Sequence, residues 1–160
     1  MTANAYLKFE DPAIAGGSAD PGHSGEIEVM TWGQSFNQPT EVSRGRNAGQ
    51  ATHSDLVFTK YIDSASDVLM RFCWNGQQIG KAVLSCYRTG LEAPVLYFQV
   101  KLENVRISNF SVALGVGDLP EETVSLAYDK ITYCMMEKQE GGDSVGERSV
   151  SHDLIKQVVS

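Results

Sequence analysis

Basic residues are scarce in this 160-residue chain. It carries 13 Lys and Arg against 20 Asp and Glu, for a formal net charge of −7 at pH 7. Nowhere do more than two Lys or Arg gather, and binding phosphate backbones or anionic lipid requires clustered cations. Nucleic acid is therefore excluded as a partner. Long apolar runs are also missing. None approaches the roughly 20 residues that a membrane-spanning helix needs, so no membrane insertion is expected. The first residues, Met1-Thr-Ala-Asn-Ala-Tyr-Leu-Lys-Phe, lack the basic stretch and apolar core of a signal peptide, and the expected compartment is the cytoplasm.

Cysteine is sparse. Cys73, Cys86 and Cys134 are odd in number and widely spaced, which suits neither a disulfide framework nor a zinc site. They read as small buried apolar residues. Histidine is equally rare, and no two of His23, His53 and His152 share a short spacing. His23 lies near Asp20 in a loop and reads as hydrogen-bonded rather than metal-ligating. A phosphate-binding loop is absent as well. Gly115-Val-Gly-Asp-Leu-Pro has no third glycine in register and a proline where a helix would start, which leaves a hairpin turn. No cofactor is expected.

What the chain does have is alternation. Its 42% hydrophobic and 21% charged residues are those of one ordinary globular domain. Segments of period two recur between turn signals, at 5–9, 26–36, 51–61, 81–88, 95–110 and 123–136, the pattern of an all-β sandwich or barrel. In 26–36 the apolar phase passes from Ile27 and Val29 to Met30 and Trp32, which implies a bulge or a change of neighbours. Segments 95–110 and 123–136 each slip phase near their middle, as sharply curved sheets require. A polar connection at 38–50 carries Pro39, Arg44 and Arg46 and exceeds the usual loop length.

One helix is predicted. Ser64 is placed as its cap with Asp67 three residues on. Ala65, Val68, Leu69, Phe72 and Cys73 form one apolar stripe, and Asn75-Gly76 ends it. Beyond residue 137 the composition turns linker-like, giving a domain at 1–137 and a tail at 138–160. That tail is expected to be flexible, or to dock on the barrel or on a neighbour through its apolar Leu154, Ile155, Val158 and Val159.

Catalytic chemistry finds little support. His53 and Asp55 share a strand face and could pair as acid and base, but polar neighbours on a solvent-facing strand do so commonly. Ser151-His152-Asp153 contains triad residue types, yet adjacent residues do not adopt a triad's geometry. Trp32 and Trp74 read as core or interface packing rather than ligand stacking. The chain is not expected to be an enzyme.

In order, Gly25-Glu-Ile-Glu-Val with Thr31-Trp32-Gly33, Phe58-Thr-Lys-Tyr-Ile-Asp-Ser-Ala-Ser, Leu102-Glu-Asn-Val with Ile107-Ser108, and Glu121-Glu-Thr-Val-Ser-Leu-Ala-Tyr-Asp-Lys-Ile resemble the haemolysin-coregulated proteins (Hcp) of type VI secretion. The resemblance covers residues 4–136. It implies a mainly β fold: a two-sheet β-barrel-like domain, as in phage tail tubes, with one flanking α-helix. It further implies a homo-hexameric ring that stacks into the secreted inner tube, with the sheath, the tip (spike) protein and effector proteins as partners. The protein would be held in the bacterial cytoplasm before firing and then secreted. The loop reaching the next ring would map to Pro39, Thr40, Glu41, Val42, Ser43, Arg44 and Arg46. Where the family often has Trp-Asp near its C-terminus, this chain has His152-Asp153. The competing reading is a small-ligand-binding β-barrel, with its pocket inside one subunit.

Overall fold

The structure, a computed structural model, describes residues 4–41, 46–47, 51–138 and 145–160. Alternation builds strand β1 (Ala5–Glu10), whose Leu7 and Phe9 point inward. A 3-10 turn at Pro21–His23 follows, capped by the Asp20 carboxylate. Next come β2 (Ile27–Val29) and β3 (Thr31–Gly33). Four two-residue strands, β4 (Phe36–Asn37), β5 (Thr40–Glu41), β6 (Arg46–Asn47) and β7 (Thr52–His53), lead to β8 (Leu56–Tyr61). The one helix, α1 (Ser66–Asn75), precedes β9 (Ile79–Arg88), β10 (Val95–Ala113), β11 (Glu121–Ala127), β12 (Lys130–Lys138), β13 (Val145–Asp153) and β14 (Val158–Val159).

The strands form two layers that share β10. One runs β14-β13-β12-β10-β9-β1-β2 and the other β10-β11-β8-β3. Segment 26–36 changes neighbours as its phase shift implied: β2 pairs with β1, whereas β3 pairs with β8. Met30 alone joins them, donating its N–H to Thr59 O at 2.8 Å. The path comes round to this corner without closing as a ladder, so the domain is barrel-like rather than a sealed barrel.

Segment 123–136 is two strands rather than one. Both lie along the same edge of β10, β11 on residues 106–113 and β12 on residues 98–103. The break falls at Tyr128-Asp129, opposite Asn104, whose φ of 53° is one that Asn tolerates. Asp129 N still donates to Glu103 O across the gap. Two facing irregularities fold the sheet over itself, and the phase slips mark the fold line. Segment 51–61 also divides, because Ser54 leaves the strand to pair with Ser35.

Leu7, Phe9, Ile27, Leu56, Phe58, Leu69, Ile79, Leu84, Leu102 and Leu126 fill the space between the layers, each at most 1% exposed. Burying each such side chain is worth about 1.5–3 kcal/mol relative to leaving it in water. The helix lays Leu69 and Phe72 on this core, with Val68 and Cys73 packed at its margin. Gly76 ends it in the left-handed conformation, φ 71°, its N–H donating to Phe72 O. Its start differs from the sequence reading. Ala65 is the cap residue and Ser64 makes no cap bond; Ser64 donates instead to Ala15 O. The ionised Asp63 side chain does the capping, accepting from Ala65 N at 3.0 Å, because a carboxylate is the stronger acceptor beside a helix N-terminus. Trp74 projects into solvent, 80% exposed, so it does not join the core. The tail residues 145–153 pair with β12 along their whole length, and β14 folds back onto β13.

Candidate functional site: the arm, its polar anchor and the free edges

The long polar connection is an arm with paired sides rather than an irregular loop. Thr40 faces Asn47 and Glu41 faces Arg46 in β5–β6. Below them Phe36 faces His53 and Asn37 faces Thr52 in β4–β7. Of the residues expected to reach a neighbouring ring, Thr40, Glu41 and Arg46 thus have assigned backbone pairing, and Pro39 is half-buried. Val42, Ser43 and Arg44 lie outside the described residues. Neither short ladder joins the main sheets, so side chains must hold the stem down.

A chain of five polar side chains does this. Tyr133 donates to Gln34 Oε1 at 2.6 Å, and Gln34 Nε2 donates to the Tyr128 oxygen and to Ser54 O. Tyr128 Oη lies 2.8 Å from His53 Nδ1, and His53 Nε2 lies 2.9 Å from His152 Nδ1. A phenol has one proton. Because Gln34 donates to Tyr128, that proton goes to His53 Nδ1. His53 therefore carries its own proton on Nε2 and donates it to His152. Phe36 presents its ring edge-on to His53 at 4.8 Å and to Tyr133 at 5.7 Å, closing the anchor on its apolar side.

Burial shapes the ionisation of these groups. It raises the Tyr128 phenol, with Tyr133 adding to the effect. It pushes Tyr133 up to about 12, with a smaller contribution from Cys86. It lowers His53, and the neighbouring His152 lowers it further.

His53 and Asp55, which share a strand face in the sequence and could have paired, are not bonded to each other. Asp55 accepts from Ser108 Oγ at 2.5 Å, because the chain turns at Ser54 between them. The triad types also separate: Ser151 bonds Ser160 at 2.6 Å, and Asp153 accepts from the Ile155 and Lys156 amides. His23 stacks on Tyr6 at 3.8 Å and bonds Glu26 at 2.9 Å, as a hydrogen-bonded loop histidine. Trp32 stacks on Phe98 at 5.7 Å. The five-residue anchor was invisible to sequence reading, since its bonded partners are up to 99 residues apart.

Apolar surface collects at the ends of the strand path. The β10–β11 hairpin exposes Val112, Leu114, Val116 and Leu119, with Val116 fully in solvent. Beside it, Met30, Trp32, Tyr97 and Leu119 line an open groove of about 760 Å³. At the other end β14 exposes Val158 and Val159. Among the described residues β2 pairs only with β1, β3 only with β8 and β14 only with β13, so each has one edge outside the ladders. Exposed edges with exposed apolar side chains mark association surfaces.

The sequence profile of the family described as "Type VI secretion system effector, Hcp" matches residues 6–134. The chain belongs to the Hcp family. Protein hcp1 of Pseudomonas aeruginosa is 32% identical over 134 residues, 82% of each chain. A second P. aeruginosa relative, named "Major exported protein", is 29% identical over 89 residues, 56% of this chain and 49% of its own. Among solved structures, one described as a type six secretion system protein superposes with a TM-score of 0.86 at 25% identity, covering 99% of this chain and 100% of that one. The Hcp1 protein of E. coli gives 0.79 at 27% identity, covering 96% and 99%. The Hcp matches agree with the two-layer fold and its single helix.

Proposed function

We propose that this Hcp chain is a structural subunit of the type VI inner tube, without enzymatic activity, that closes into a six-membered ring whose central hole can carry effectors. The observation that carries the reading is the pair of unlike free edges, β3 and β14, at the two ends of one strand path. A ring requires a heterologous interface in which two different patches meet and the rotation closes. Strand pairing across subunits would also remove both unprotected edges.

The arm supplies the stacking contact in this reading, with Pro39, Thr40, Glu41, Val42, Ser43, Arg44 and Arg46 reaching the next ring. In this reading residues 1–137 are the tube domain and 138–160 are its C-terminal tail. The sheath, the tip protein and effectors are its partners, and it waits in the cytoplasm before firing carries it out. The ligand-binding alternative draws on the groove beside Leu119 and on a smaller pocket of about 290 Å³ beside Tyr6, His23 and Tyr87, since side chains fill the interior. Mass photometry at micromolar concentration tests the ring. A species near 105 kDa (six times 17.5 kDa) is expected, and a stable monomer of 17.5 kDa overturns it.

A further inference from the structure

The anchor beneath the arm holds two histidines from distant segments in direct contact, and its hydrogen-bond direction responds to protons. His53 belongs to the stem and His152 to β13, and their nitrogens are 2.9 Å apart. In the neutral state each nitrogen in the contact has a defined role: His53 Nε2 donates and His152 Nδ1 accepts.

A first added proton can be absorbed by reversing the chain. His152 Nδ1–H then donates to His53 Nε2, and His53 Nδ1–H donates to Tyr128. Tyr128 turns its proton to the Gln34 carbonyl oxygen after the amide rotates, and the amide nitrogen then faces Tyr133. The Tyr133 hydroxyl then accepts instead of donating, and the Ser54 carbonyl gives up its 3.3 Å bond to the amide, so the His53–His152 contact is kept at the cost of that bond. A second proton has no such solution. Both facing nitrogens become donors, and two positive rings meet at hydrogen-bond distance.

The surroundings do not offset that charge. Among the described residues, no carboxylate bonds either ring. Asp55 is taken by Ser108. Asp129, beside Tyr128, is paired with Arg106 at 3.2 Å. Asp153, beside His152, serves backbone amides and lies near Lys130 and Lys156. Tyr128 and Tyr133 are neutral phenols that can only reorient. The stem has few other ties to the body: Phe36 on Tyr133 and Gln34 on Tyr128, both part of the same cluster, and at its foot Asp55 on Ser108.

We propose that the His53–His152 pair is a proton-operated latch, which holds the β4–β7 stem of the arm on β13 while at most one ring is charged and releases it when both are. The latch concerns the protomer, and it stands or falls separately from ring closure.

Hydrogen–deuterium exchange of the full chain, corrected for intrinsic rates, tests the latch between about pH 7.5 and about pH 5, the range in which histidine changes charge. Local opening raises exchange in proportion to the open population. In the native protein, peptides covering residues 34–37 and 51–55 should exchange about tenfold faster at the lower pH, while β9 peptides stay unchanged. His152→Gln keeps an acceptor but cannot charge, and should abolish the pH dependence; His53→Gln tests the same contact from the stem side. His23→Gln should leave it intact. Equal stem exchange at both pH values in the native protein overturns the proposal, as does an undiminished rise in the His152→Gln and His53→Gln variants.

Discussion

Lys60 and Glu122 are cross-strand partners on β8 and β11, and they form an ion pair in the interior where neither exposes any surface. Ser66, in the first turn of α1, donates to Glu122 Oε1 at 2.8 Å and accepts from Lys60 at 3.1 Å. Asp63 adds a second carboxylate to Lys60, also at 2.8 Å. The pair thereby fixes the helix start against two strands.

Breaking this pair from one side should cost far more than replacing it. Glu122→Gln removes the fully buried carboxylate and leaves the Lys60 ammonium with Asp63 as its remaining charge partner, a loss of up to about 3–5 kcal/mol. The double replacement Lys60→Met with Glu122→Leu removes both charges and should recover most of that loss. Urea denaturation of the three proteins decides it. A double variant as unstable as the single one would mean that the pair itself, rather than its desolvation, stabilises the fold.

The pair also shows what was legible in the chain. In β8, Leu56, Phe58 and Lys60 share one face; in β11, Glu122, Val124 and Leu126 do the same. Two opposite charges continue the buried phase of two apolar strands, and that signal was available from period-two reading. It was missed because register across 62 residues cannot be read from either strand alone. The helix stripe, by contrast, needed only local spacing. So did the phase slip at residues 29–31, which located the corner between β2 and β3. The split at Ser54 escaped because short strands look continuous in sequence, whereas the break at Tyr128 showed as a phase slip without revealing that the strand ends there. The histidine anchor depends wholly on tertiary placement, and no local pattern encodes it.

Leu69 lies at the centre of the helix stripe with no exposed surface. Leu69→Ala should destabilise the protein by about 2–5 kcal/mol through lost burial and a residual cavity. Leu69→Asp adds a buried, unpaired charge and should yield unfolded or insoluble protein, as judged by circular dichroism of any soluble fraction. A soluble Leu69→Asp protein with unchanged melting temperature would contradict the helix packing.

Removing residues 40–46 should leave single rings intact, because the β4–β7 stem and its anchor lie below the deletion. Stacking should weaken. Electron microscopy at equal concentration should show rings with fewer or shorter tubes, and tubes of native length would rule out a stacking role for the arm.

Stability should fall as pH drops through the histidine range. Burial holds His53 below its ordinary value of 6.5 in the folded state, so the unfolded chain binds the extra proton first. Its contribution is fully present above about pH 6.5 and is lost as pH falls towards the lower folded value. The urea midpoint should decline between about pH 7 and about pH 5, and the decline should be shallower in His53→Gln. An identical slope in the variant would assign the dependence to other groups.

At the alkaline end, Tyr6 and Tyr133 are each raised to about 12, chiefly by burial, with Asp20 adding to the effect at Tyr6. Their folded values exceed the unfolded 10.0, so their stabilising contribution is present below pH 10 and is lost as pH rises towards 12. Ultraviolet titration of the native protein should therefore show only part of its tyrosinate absorbance near about pH 10.5, the remainder appearing with unfolding. Full absorbance at that pH in folded protein would place both phenols in water.

Strand β10 enters both layers without a chain break, and its left-handed Asn104 faces the Tyr128-Asp129 gap. The chain from β11 to β12 crosses the same line at Tyr128-Asp129, and Met30 carries the chain from β2 to β3 at the opposite corner. Three covalent crossings therefore oppose sliding of one layer over the other, and load taken up by one layer would reach the second through backbone as well as through the side chains packed between them.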